Sequence, residues 1–179
     1  MPCGSNCRLG AYHEAGLSSA SRGGLLPAGG QEVIELSTRL EIRATDPLMS
    51  AVYALRRDVF VVEQGVPEEL EVDDDDRVAT HLAALSDGRV IGTLRILLHQ
   101  RSAKIGRMAV SATSRRKGIG RELMEFAAAT ASRCGAEEII LGAQLTACEF
   151  YKRLGYIEEG AVFNDAGIPH VMMRKKLQR

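Results

Sequence analysis

The segment Arg115-Arg116-Lys117-Gly118-Ile119-Gly120-Arg121 limits what this chain can fold into more than any other. Lys104 to Val110 before it has a strand pattern. After it, Ile119, Leu123, Ala127 and Ala131 make the apolar stripe of a long helix that ends at Gly135, where glycine takes the left-handed cap conformation. Glu138 to Ala143 then reads as a short buried strand. A strand passed through a tight turn into a helix and on to another strand belongs to an α/β architecture. The unpaired N–H groups and positive dipole end of the helix face whatever sits in the turn, and glycines let the backbone approach it closely. Arg115, Arg116, Lys117 and Arg121 add charge-assisted contacts, so the turn suits a phosphate. It is not a nucleotide-binding loop of the GK[ST] kind, nor a GxGxxG turn, because Leu123 stands at the third glycine's position. The bland alternative is a helix N-terminus with a solvated basic turn.

The remaining patterns extend this unit. Arg39 to Ala44 alternates as a half-buried strand does. Asp46-Pro47 predicts a helix start, and Leu48, Val52, Leu55 and Val59 give that helix one apolar face leading into Phe60 to Gly65. Ala79 to Leu85 and Arg89 to Leu98 form a hairpin through Asp87-Gly88, whose two turn positions favour φ > 0. Thr146 to Leu154 carries a Thr146-x-x-Glu149 capping box and an apolar Ala147, Phe150, Tyr151, Leu154 face. Tyr156 to Val162 and Pro169 to Leu177 close the chain as strands around the turn at Asn164 to Gly167. The order β-α-β-β-β-α-β-α-β-β predicts a mixed sheet.

Composition narrows the function. The chain has 179 residues, 45% hydrophobic, with 23 basic and 23 acidic side chains, so no global field collects nucleic acid or anionic lipid. No apolar run is long enough to span a bilayer, and 4% aromatic content with no Trp argues against base-stacking platforms. The expected partners therefore include neither nucleic acid nor a membrane. The four cysteines make a poor disulfide framework and point to a reducing compartment. Cys3, Cys7 and His13 lack a fourth zinc ligand, and no metal is expected. Residues 1–38 hold seven of the 18 glycines and read as a flexible tail, with 39–179 as the folded domain. The tail also has the weak character of an organelle transit peptide, without a signal peptide's continuous apolar stretch; the compartment expected otherwise is the cytoplasm. Residues 68–76 carry seven acids, too much like charge to pack together, and read as a solvated loop or a cation site without EF-hand spacing. Arg95 and Arg107 either pair with that loop or face an anionic substrate group.

Here a resemblance enters. Val110 followed by Arg115-x-x-Gly118-x-Gly120 opening a helix resembles the coenzyme A pyrophosphate loop of the GNAT superfamily of N-acetyltransferases. Gln144-x-x-Ala147-x-x-Phe150-Tyr151-x-x-x-Gly155-Tyr156 is similar to its second cofactor motif, with Gln144 where members often carry Asn. Leu55-Arg56-x-x-Val59-Phe60-Val61-x-Glu63-Gln64-Gly65, Ala79-Thr80-His81-Leu82, Gly106-Arg107-Met108-Ala109-Val110 and Gly167-Ile168-Pro169-His170 resemble the ElaA-type subgroup. The resemblance runs from about residue 40 to the end. It implies a mixed, mostly antiparallel sheet flanked by helices and a GNAT-like acyl-CoA N-acyltransferase fold. It also implies direct acetyl transfer from acetyl-CoA to a primary amine of a small molecule or protein. Pairing of two copies through the last strands follows by analogy with the family.

Each implied role can be sought among the residues. The resemblance places coenzyme A on Arg115, Arg116, Lys117, Gly118, Ile119, Gly120, Arg121 and Gln144, and donors for the thioester oxygen on the Met108, Ala109, Val110 backbone. Tyr151 matches the family's acid, which assists the departing thiolate; its bland reading is an amphipathic core tyrosine. A lysine-like amine, with a pKa of about 10.4, needs a base or a desolvating site. Glu63, His81 and His170 are the candidates, alongside water relayed by backbone carbonyls; a histidine suits neutral pH, and burial would raise Glu63 toward it. Two competing functions remain open: a non-catalytic acyl-CoA sensor or partner module, and an acyl-homoserine-lactone-synthase-like acyltransferase suggested faintly by Arg56, Phe60, Glu63 and the downstream aspartates.

Overall fold

The computed structural model describes residues 38–178. Apart from Thr38, the expected tail, with its Cys3, Cys7 and His13, lies outside the described residues. The elements are β1 (Thr38–Ile42), α1 (Met49–Arg56), β2 (Thr80–Ser86), β3 (Arg89–His99), β4 (Ser102–Val110), α2 (Ile119–Arg133), β5 (Glu138–Gln144), α3 (Cys148–Arg153), β6 (Ile157–Asp165) and β7 (Ile168–Lys176). Their order is the one the patterning predicts. The strands form a seven-stranded sheet in the order β1-β2-β3-β4-β5-β7-β6. Every neighbouring pair is antiparallel except β4 with β5, whose parallel pairing needs the α2 crossover between them.

Strand alternation distributes the core to both faces. Leu82 and Ala84 of β2 join Leu94, Ile96, Ile105, Ile139, Leu141 and Met173 under the α2 stripe of Ile119, Leu123, Ala127 and Ala131. Ala83 and Leu85, pointing the other way, pack with Met49 and Val52 of α1. Gly92 on β3 lets α2 come close, since a Cβ there would lie 2.9 Å from both Ile119 Cγ2 and Leu123 Cδ1. The Asp87-Gly88 turn has positive φ at both positions, 48° and 73°, as a two-residue hairpin requires.

Three local expectations are corrected. Asp46 does cap, but its Oδ1 accepts the Leu48 amide at 2.9 Å and the helix begins only at Met49. That helix then runs on as a wider π-helical turn, Arg57–Glu63. At α3 the capping box does not form: a 3-10 turn, Leu145–Ala147, leads in, and Glu149 pairs with Lys152 at 3.0 Å instead.

The acidic stretch departs most from expectation. Glu71 and Asp76 are buried, at 4% and 1% exposure, Glu71 at the end of a short 3-10 turn, Glu68–Leu70, and Asp76 within a second, Asp74–Arg77. Arginines from other elements supply the countercharge. Arg56 of α1, fully buried, bonds the Glu71 carboxylate through Nε and Asp76 Oδ1 through Nη1 at 2.8 Å. Arg95 of β3 reaches Asp76 at 3.0 Å and also pairs with Asp73. Like charges pack here because three guanidinium groups, those of Arg56, Arg95 and Arg107, are packed among them.

Candidate active site

The sheet opens where β4 and β5 part. They pair only from Ser102 with Glu138 to Lys104 with Ile140, and both strands continue beyond that point. A bulge in β4 sets what faces the opening: Thr93 pairs with Ala109 and Arg95 with Gly106, so Leu94 alone opposes Arg107 and Met108. Past the bulge, the Ser111 amide donates to Ile91 O at 2.9 Å. Alternation therefore turns Ala109 into the β3 ladder and turns the amides of Met108 and Val110 away from β3, toward the side β5 has left. Of the three residues named for oxyanion donation, Ala109 is thus the one whose amide points the wrong way.

The glycine turn stands at the end of β4. Gly118 has φ +88° and immediately precedes α2. The first amide to close a helical turn is that of Glu122, on Gly118 O at 3.1 Å; the amides ahead of it are the unpaired donors of the helix start. Gly120 lets this end sit down on the opening, because a Cβ there would fall 2.8 Å from Met108 Cε and 3.4 Å from Phe150 Cζ. Ile119 offers only backbone, its side chain being buried in the core.

The cationic side chains of the turn divide. Arg116 and Lys117 are exposed and form no ion pair with any described residue. Arg121 pairs with Glu125 along the helix at 2.8 Å. Arg115 is turned back: Nε donates to Val110 O at 3.0 Å, and both terminal nitrogens grip Glu63, each at 2.6 Å. It braces the turn rather than reaching out of it. The same fork corrects the reading of Glu63 as a base, since the Arg115 hydrogen bonds hold its carboxyl below the usual range, the reverse of what proton abstraction near neutral pH needs.

From α3, Tyr151 crosses beneath the opening. It is 9% exposed, packs edge-on against Phe150 and Tyr156, and directs its hydroxyl to Met108 Sδ at 3.5 Å. Burial pushes its pKa up to about 12, so the phenol keeps its proton at neutral pH. Nearby, the Cys148 thiol donates to Gln144 O at 3.6 Å, and burial raises its pKa.

The other face of the opening is uncovered. Ile139, Leu141 and Ala143 of β5 point into the α2 core, which leaves Gly142 and Gln144 on the α1 side, where Gly142 is exposed. Gln144 Nε2 donates to Gln64 Oε1 at 2.9 Å, joining the end of β5 to the residue after the π-helical turn. Phe163 of β6 stacks on His170 of β7 at 5.8 Å and lies over Gly142. His170 Nδ1 is 2.8 Å from Ile168 O; because a carbonyl only accepts, Nδ1 carries a proton, and the neutral form of the ring has its lone pair on Nε2. The adjoining Cδ2 lies 4.0 Å from where a Cβ on Gly142 would stand, so this edge of the ring borders the open face.

His81 takes no part in the opening. It is fully buried, with Nε2 donating to Asp76 O at 2.9 Å, and burial lowers its pKa. No amine can reach it, which corrects its reading as a base. The sequence reasoning missed Gln64 and the bracing role of Arg115. It also missed the seating of Arg56, an arginine on the buried face of α1 that the sequence motifs name without giving its partners. Among the described residues no group of three or more His, Cys, Asp and Glu could hold a metal ion, and no helix is long and apolar enough to cross a membrane.

The arrangement is that of an acyl-CoA N-acyltransferase fold. The Pseudomonas aeruginosa acyl-CoA N-acyltransferase superposes with a TM-score of 0.70 at 35% identity, covering 77% of this chain and 98% of that one. Escherichia coli ElaA does so with a TM-score of 0.70 at 27% identity, over 77% of this chain and 98% of its own. Residues 42–177 match the family described as the Acetyltransferase (GNAT) domain, and the chain belongs to that family. A curated relative, the uncharacterized N-acetyltransferase YjcF of Bacillus subtilis, is 35% identical over 131 residues, 73% of this chain and 93% of the relative.

Proposed function

We propose that this domain transfers the acetyl group of acetyl-CoA to a primary amine of a small molecule or a protein by direct attack, in the cytoplasm and without a metal. The observation that carries this reading is the Tyr151 hydroxyl, protonated and set against Met108 on the strand whose Met108 and Val110 amides face the opening. The helix-start amides around Gly118 and Gly120, with Arg116 and Lys117 beside them, hold the diphosphate of the cosubstrate. Gln144 contacts its pantetheine arm.

The Met108 and Val110 amides stabilise the charge that develops on the thioester oxygen. The amine nitrogen forms its bond to the acetyl carbon and gives up a proton to His170 Nε2, the one base candidate bordering the open face. As the C–S bond breaks, the sulfur takes the electron pair and the Tyr151 proton. The products are an N-acetyl amide and free CoA thiol, and solvent returns the His170 proton to Tyr151.

Thiol release from acetyl-CoA across a panel of amines tests the reading. Turnover with at least one amine is expected, and kcat/KM of a His170→Gln variant should fall by about 100-fold. Failure to bind acetyl-CoA at millimolar concentrations would end the proposal. Binding without turnover under any condition would leave an acyl-CoA sensor in its place.

A further inference from the structure

Resting on the acetyl-transfer reading, we propose that Arg107 is a positioning residue: it clamps the Leu70 to Asp73 segment to β4 as the acceptor-side wall, beside the Met108 amide. Arg107 sits in the bulge with φ +52°, a conformation that glycine adopts freely and arginine seldom does. The backbone alone would favour glycine here, so what arginine adds at this position is its side chain.

That side chain spends its bonds on one segment. Nε donates to Glu71 O at 2.9 Å, while Nη2 donates to Leu70 O at 2.8 Å and Asp73 Oδ2 at 3.1 Å. Two of the three acceptors are main-chain carbonyls, so the clamp fixes the path of the backbone. The buried carboxylates of Glu71 and Asp76 are bonded by Arg56 and Arg95, and Arg107 bonds neither of them. Removing Arg107 therefore leaves the buried ion pairs of the fold intact.

Its place gives the clamp a catalytic consequence. Arg107 follows Gly106 and precedes Met108, whose side chain turns to the α2 core, and it reaches the segment that Arg56 anchors on the α1 side. The uncovered face over Gly142 is bordered by the Phe163–His170 stack on β6 and β7, and on the same α1 side of the sheet the segment is anchored by Arg56 of α1 and by Arg107 of β4. Holding Leu70 to Asp73 onto the residue before Met108 fixes the distance between the wall and the thioester carbonyl. Small displacements of such a wall are costly to rate.

The decisive variant is Arg107→Gly, which suits the positive φ and removes only the clamp, with Arg107→Lys as the conservative partner. For Arg107→Gly, kcat/KM for the amine should fall by about 10-fold or more while the dissociation constant of acetyl-CoA stays within about twofold. Arg107→Lys, which keeps the charge but not the fork, should recover part of the loss. Amide hydrogen exchange across residues 68–76 should quicken in Arg107→Gly while that of β2 and β3 holds. Unchanged exchange, or amine kcat/KM within about twofold of the parent, would overturn the clamp. If the parent protein shows no acetyl transfer, the functional reading fails, and the exchange comparison still decides whether Arg107 holds the segment.

Discussion

At the scale of single residues, environment rather than residue type decides which titratable groups are available for chemistry. Glu63, His81 and His170 are equivalent candidates in the sequence. The structure separates them by an ion pair, by full burial, and by a carbonyl that fixes one histidine's tautomer. The partner that disqualifies Glu63 lies at no spacing that sequence could reveal, since Arg115 is 52 positions away, and the burial that disqualifies His81 is set by the packing of the whole domain. Tyr151 is different, because its motif and its helix face are both local, and it is a buried residue of α3. Its hydroxyl has only a thioether as partner, so Tyr151→Phe should leave thermal stability within about 1 kcal/mol of the parent. Turnover in the thiol-release assay should nevertheless drop about 100-fold with acetyl-CoA affinity unchanged, as expected when a proton donor is lost. Equal loss of cofactor affinity and rate would return Tyr151 to a packing role.

At the scale of elements, patterns confined to one segment are legible and those shared between segments are not. The hairpin at Asp87-Gly88 and the start of α2 at Gly118 follow from glycine conformations that neighbouring residues already announce. The acidic stretch reads as solvated because its countercharges sit on α1, β3 and β4, as far as 34 positions away. Like charge in sequence is thus no guide once arginines from distant elements converge. Arg56 carries the largest share, bonding both buried carboxylates and Glu71 O. Replacing it by Leu leaves Glu71 and Asp76 buried without their main partner, and should cost about 3–5 kcal/mol in a urea titration. A cost below about 1 kcal/mol would show that the segment simply swings out and rehydrates.

For the whole molecule, the strand and helix order is legible because every element carries its own period. The neighbours in the sheet are another matter, since the insertion of β7 between β5 and β6 is a long-range choice. The buried charges also set how the domain answers acid. Burial alone would raise the Asp76 carboxyl, but hydrogen bonds and charge from Arg56 outweigh it and bring its pKa down to about 2, against an ordinary 3.8. Its contribution to stability is complete above the unfolded value and is lost as pH falls from there through the folded one. His81 acts with the same sign at higher pH: burial holds the native ring neutral below the ordinary 6.5, so the unfolded chain gains protons first. A melting curve followed against pH should therefore decline in two stages, beginning below about pH 6.5 and again below about pH 4. His81→Gln should flatten the first stage alone, and a melting point level across both ranges would refute this account.

The brevity of the β4–β5 pairing, three residue pairs from Ser102 to Lys104, has a mechanical meaning as well. Past that seam the halves β1–β4 and β5–β7 share no ladder, and the main chains of their facing edges behave as two sides of a zipper closed only at its base. A guest whose own amide groups run along the gap supplies the missing rungs, knitting two flaps into one stiff plate. Such a guest stabilises the domain in proportion to the logarithm of its concentration, so occupancy and rigidity rise together.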